Sequence, residues 1–120
     1  MIDDLDILFE DDRLIAINKP HGLLVHKTNM AADATEFALQ RVRNYVGRKV
    51  YPVHRLDRKT AGILLFAKDP EMNTEMQKQF RNRKVSKVYH AIVRGHTPEK
   101  DTIEISKYFG LLWLEWIFHL

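Results

Sequence analysis

One carboxylate stands alone among cations in this chain. Between Arg41 and Lys59 lie Arg41, Arg43, Arg48, Lys49, Arg55, Arg58 and Lys59, and the single acid among them is Asp57. A carboxylate in such company is ionised at neutral pH. Its plain role is an ion pair with Arg55 or Arg58 that relieves the repulsion of the block. On spacing alone that reading is the simpler one. Asp57 is nevertheless the one candidate left for chemistry once the others are removed. The chain has no cysteine, which excludes disulfides, thiolate nucleophiles and cysteine-ligated metals. His21 and His26 are five apart and His54, His90, His96 and His119 are scattered, without the spacing of a metal site. Its glycines form neither a GxGxxG nor a P-loop, so a nucleotide cofactor has no support. No serine, threonine and histidine pair up as a hydrolase triad.

The elements that must position Asp57 can be read from periodicity. Leu14 to Asn18 is a short apolar run closed by Lys19-Pro20, a strand ending in a turn. From Asp33 to Val46 the pattern predicts a helix. Asp33 is the cap and Glu36 has the capping-box spacing. Ala34, Phe37, Ala38, Val42 and Tyr45 form its inner stripe, and Gly47 is the stop. Val50 to Val53 is a second strand. Gly62 to Ala67 is a third, continuously apolar as in a strand buried on both faces. Asp69-Pro70 opens another helix, with the proline at its first position and Met72, Met76 and Phe80 facing inward as core filler. Alternation over Val85 to Val93 predicts a further strand. The fold class expected is α+β, a mixed and mainly antiparallel sheet with flanking helices.

Composition bounds the rest. A chain of 120 residues, 45% hydrophobic and 29% charged, can build one ordinary domain with a real core. The formal net charge is +3 and the pI about 9.2, a mild sign of a polyanionic partner. Distribution says more than the total. Asp3, Asp4, Asp6, Glu10, Asp11 and Asp12 crowd the start, whereas Lys78, Arg81, Arg83, Lys84 and Lys87 form a second basic block without an acid. Two basic blocks with aromatic neighbours suit a phosphate backbone, and they equally suit a solvated cationic face. The N-terminus lacks the order of a signal peptide, and no apolar run approaches the ~20 residues that span a bilayer. A cytoplasmic setting is expected, with no membrane partner. The tail from Tyr108 to Leu120, YFGLLWLEWIFHL, holds both tryptophans and fits neither alternation nor a narrow helical stripe. Left exposed, it would be an apolar patch. It reads as a docked terminal element, a partner-binding segment, or sequence cut or shifted out of its natural frame.

Three segments go further than spacing does. HRLDRKTAGILLFAK, His54 to Lys68, resembles the hallmark motif of the RluA family of pseudouridine synthases, in which HRLD precedes two variable residues, Thr-Ser-Gly and an apolar strand. Ile17 to His26 is similar to that family's NKPxGxxVH segment, and Lys87 to Gly95 matches its KxYxAxVxG strand. The motifs follow the family's order and together cover about residues 7–96. The general run of the sequence is closest to the TruC branch, which acts on tRNA. Ala61 stands where the family usually has serine. Family catalytic domains are longer than this chain, and a later motif supplies a basic partner for the aspartate together with an apolar residue lining the pocket. Nothing after Gly95 resembles it.

The resemblance implies a single partial catalytic domain over 1–120, with residues 97–120 apart from the family pattern. It implies an isomerase that converts uridine to pseudouridine in RNA, either tRNA or rRNA, without a cofactor or metal. Asp57 maps onto the catalytic aspartate, as nucleophile or as a base acting on the sugar. Tyr89 maps onto the tyrosine that packs against the target base, and its plain role is a core aromatic. Arg55 is expected to fill the vacated stack or hold a phosphate, His54 to shape the pocket edge, and Lys19 to follow the RNA backbone. A chain of this pattern without the later motif also reads as an inactive RNA-binding fragment.

Overall fold

Asp11 starts the fold by closing a hairpin. Its Oδ1 accepts from the backbone N–H of Arg13 at 2.8 Å and of Leu14 at 2.7 Å, and its own N–H donates to the Leu14 carbonyl at 3.0 Å. This is an Asx-type turn in which a side chain does the work of backbone. It joins β1 (Ile7–Glu10) to β2 (Leu14–Lys19) in antiparallel pairing. The computed structural model describes residues 5–23, 25, 37–92 and 94–96, and the backbone of 102–104 and 115–117. It divides into two compact units, residues 1–84 and 85–120.

The first unit is a four-stranded antiparallel sheet in the order β1-β2-β4-β3, where β3 is Tyr51–Pro52 and β4 is Gly62–Ala67. The register sets Ile15 opposite Phe66 and Ile17 opposite Leu64 on one face of the sheet. All four side chains are at most 1% exposed and form the centre of the core. Each contributes roughly 1.5–3 kcal/mol by leaving water. Helix α1 (Ala38–Val46) adds Ala38 and Val42, four apart and both buried, and Gly47 ends it in a left-handed conformation at φ 79°. Helix α2 (Pro70–Arg81) packs against β3 and β4. Asp69 caps it by accepting from the N–H of Met72 at 2.7 Å. In the second unit, β5 (Thr102–Glu104) and β6 (Glu115–Ile117) pair antiparallel.

The expected α+β class and antiparallel sheet are present. Several details differ for physical reasons. Strand β1 is absent from the sequence reading, because Leu8 and Phe9 are each 50% exposed and a bulge between Ile7 and Phe9 breaks the alternation. Strand β4 is not buried on both faces, since Ile63 is 65% exposed. Residues 85–92 form no ladder, although their alternation predicts a strand, and Val88 and Ile92 are exposed. Alternation shapes a strand only where a neighbouring strand offers its N–H and C=O groups. The α1 helix starts at Ala38, after Phe37, which makes no side-chain cap. The expected cap at Asp33, and the tail apart from the backbone of β6, lie outside the described residues.

Candidate active site

The β2–β4 ladder ends with Lys19 opposite Gly62. The loop that leaves β2 and the loop that enters β4 are therefore neighbours, although about forty residues of sequence separate them. Pairing alone brings the Lys19–Leu23 segment beside the one that carries Asp57.

The two loops are clasped together. Gly22 N–H donates to the Arg58 carbonyl at 2.7 Å, and the Arg58 Nε donates back to the Gly22 carbonyl at 2.9 Å. Gly22 sits at φ 89°, a conformation that residues with a Cβ seldom adopt. Lys19 completes the clasp. Its Nζ donates to the carbonyls of Leu23 at 2.7 Å, Pro20 at 3.1 Å and Arg58 at 3.1 Å. The side chain is 0% exposed. Burying an ammonium is costly unless every N–H has a partner, and here all three do. Burial pushes the Lys19 ammonium below its ordinary pKa, while the charge of Asp57 pulls the other way.

Asp57 itself is exposed, beside the buried Leu56. Its carbonyl accepts from Thr60 N–H at 2.9 Å, which closes a tight turn over Asp57 to Thr60. Among the described residues neither Arg55 nor Arg58 pairs with it as a salt bridge. The plain reading of Asp57 as a charge-relieving partner is therefore not realised. What remains is an accessible carboxylate on a fixed backbone, with a buried cation behind it. Such a group can attack an electrophilic carbon or accept a proton.

The other predicted residues fall in different places. Arg55 is exposed, two residues before Asp57. His54 is half-buried, its Nε2 accepts from Leu65 N–H at 3.0 Å, and its ring stacks on Phe80 with centroids 4.9 Å apart. Lys19 was expected on an RNA backbone. It lies inside instead, with its donors spent on carbonyls. Tyr89 belongs to the second unit and is half-buried. Not legible in the sequence were the clasp between Gly22 and Arg58 and the stacking of Phe80 on His54. A glycine two residues after Pro20 was the available signal for the first. The basic blocks are mostly on the surface, with Arg43, Arg48, Lys49, Arg55, Arg58, Lys59, Lys78, Arg81, Arg83, Lys84 and Lys87 exposed. An open hollow of about 490 Å³ at the end of α1 is lined by Arg43, Asn44, Gly47, Arg48 and Lys49.

The family described as RNA pseudouridylate synthase matches residues 13–111. The tRNA pseudouridine synthase C of Haemophilus ducreyi is 52% identical over 101 residues, covering 84% of this chain and 42% of that protein. The protein of the same name from Vibrio cholerae is 42% identical over 100 residues, covering 83% and 41%. Among solved structures, human RNA pseudouridylate synthase domain containing 1 superposes with a TM-score of 0.68 at 26% identity, covering 87% of this chain and 39% of that one. This chain thus spans about two-fifths of the length of the curated relatives it matches.

Proposed function

The chain belongs to the RNA pseudouridylate synthase family, and from that premise we propose that it carries the uridine-isomerising site of a tRNA-modifying enzyme, with Asp57 as the reacting carboxylate. The observation that carries the reading is the clasp of Lys19, Gly22 and Arg58, which fixes the backbone immediately after an exposed aspartate. A group that attacks must be held within a fraction of an ångström of its target, and rigid support supplies that.

The reaction breaks the bond from ribose to ring nitrogen, turns the uracil and rejoins the sugar to a ring carbon. A carboxylate suits it, because it can act on the sugar and depart without a cofactor. The target uridine must first leave its stack, which costs a few kcal/mol. Arg55 would fill the vacated place or hold a phosphate. Transfer RNA is favoured over ribosomal RNA by the names of the relatives at 52% and 42% identity.

The test is release of tritium from RNA labelled on the uracil carbon that accepts the sugar. Turnover is expected with tRNA transcripts, and Asp57→Ala is expected to abolish it. Release that survives this substitution removes Asp57 from the chemistry. A second reading, an RNA-binding segment without turnover, rests on the absence after Gly95 of a segment resembling the motif that supplies the aspartate's basic partner. It predicts salt-sensitive RNA affinity with no tritium released.

A further inference from the structure

The β3–β4 ladder stops in an unusual way. Tyr51 pairs with Ala67 and Pro52 with Phe66, so the next pair in register is Val53 with Leu65. In an antiparallel sheet such a pair exchanges two hydrogen bonds. One is present, from Val53 N–H to the Leu65 carbonyl at 3.0 Å. The return bond is diverted. Leu65 N–H donates not to the Val53 carbonyl but to Nε2 of His54, at 3.0 Å.

The imidazole therefore takes the place of a backbone carbonyl. A ring nitrogen that accepts carries no proton, so the ring is neutral and its proton is on Nδ1. The stack on Phe80, with the two rings 15° apart, ties the same imidazole to α2. With its acceptor duty taken over by a side chain, the main chain leaves the sheet after Val53. Four residues later it delivers Asp57. At the other end of this short span, Arg58 is held by Gly22 and Lys19. Between the two anchors Leu56 points into the core and Asp57 is exposed.

We propose that His54 is a positioning residue for Asp57. As the β4-bound anchor of residues 55–57, it acts through the backbone and not by touching the base. The inference rests on Asp57 being the reacting group, but its test reads geometry and not turnover. A failed tritium-release experiment would thus sink the proposed function without changing these spectra, and unmoved spectra would sink the positioning role without touching turnover.

The experiment uses the 120-residue chain, labelled with ¹⁵N and ¹³C, and the variants His54→Phe and His54→Gln. Phenylalanine keeps a ring for Phe80 but has no acceptor, whereas glutamine places an oxygen near the position of Nε2. In the unmodified chain we expect coupling across the hydrogen bond between the Leu65 amide nitrogen and Nε2, with the proton on Nδ1. His54→Phe should speed hydrogen exchange at the Leu65 amide by about fivefold or more, the effect of one typical hydrogen bond. It should also shift the amide signals of Asp57 and Thr60 and the carboxyl signal of Asp57. His54→Gln should restore both sets. A protonated Nε2 in the unmodified chain overturns the proposal, as do unmoved Asp57 and Thr60 signals in His54→Phe. If His54→Phe fails to fold, the coupling and the His54→Gln spectrum decide.

Discussion

Replacing Lys19 by methionine keeps most of the side-chain volume and removes three donors at once. The cost is smaller than three lost bonds. The Arg58 carbonyl keeps the N–H of Gly22, and the Pro20 carbonyl keeps that of Leu23 at 3.4 Å. The Leu23 carbonyl loses its 2.7 Å donor. One buried acceptor deprived of its donor costs about 1–3 kcal/mol, and that is the destabilisation expected from chemical denaturation of Lys19→Met. A loss below about 0.5 kcal/mol would show that the clasp is ornamental. The family resemblance set Lys19 along the RNA backbone, and lysines are almost never fully buried. Only the ladder end, with Lys19 opposite Gly62, reveals that three carbonyls converge where its ammonium can reach.

At the scale of elements, the two helices differ in how much of their capping is legible. Asp69-Pro70 announces the start of α2, and the structure agrees. The Asp69 carboxylate accepts from Met72 N–H and is also gripped twice by Arg13, at 3.0 Å from Nε and 3.0 Å from Nη2. These bonds, Arg13 first, hold its pKa at about 2, below the ordinary 3.8. A carboxylate whose folded pKa is depressed stabilises the fold above its unfolded value and loses that contribution as pH falls. Thermal unfolding should therefore lose stability between about pH 4 and pH 2, and Asp69→Asn should flatten that part of the curve. At α1 the legible end is the last one. Gly47→Ala places a Cβ at φ 79° and should cost about 1 kcal/mol by denaturant titration. Where the helix begins was not legible, because Phe37 provides no side-chain cap.

For the whole molecule, charge and shape meet in the proposed RNA surface. The basic hollow of Arg43, Asn44, Gly47, Arg48 and Lys49 precedes β3, whose Tyr51 pairs with Ala67. Asp57 precedes Gly62 at the opposite end of β4, a strand roughly 17 Å long at ~3.3 Å per residue. An RNA strand engaging both would cross the length of this sheet. Its affinity should then fall linearly on logarithmic axes as salt rises. Arg43→Ala and Lys49→Ala should each reduce that slope by about one while binding weakens evenly across sequences. Slopes that do not move would take this hollow off the RNA path.

The sequence by itself determined the α+β class, three of the four strands of the first unit, the start of α2, and the identity of the residue around which chemistry is proposed. Those rest on local information, namely periodicity, caps, turn residues and motif order. Tertiary structure decided the rest. It placed Lys19 inside, gave His54 a main-chain duty and left residues 85–92 without a ladder. It also brought the loops around Gly22 and Arg58 into contact. Each of these depends on which distant backbone groups come within about 3 Å, and strand pairing, not sequence neighbourhood, sets that.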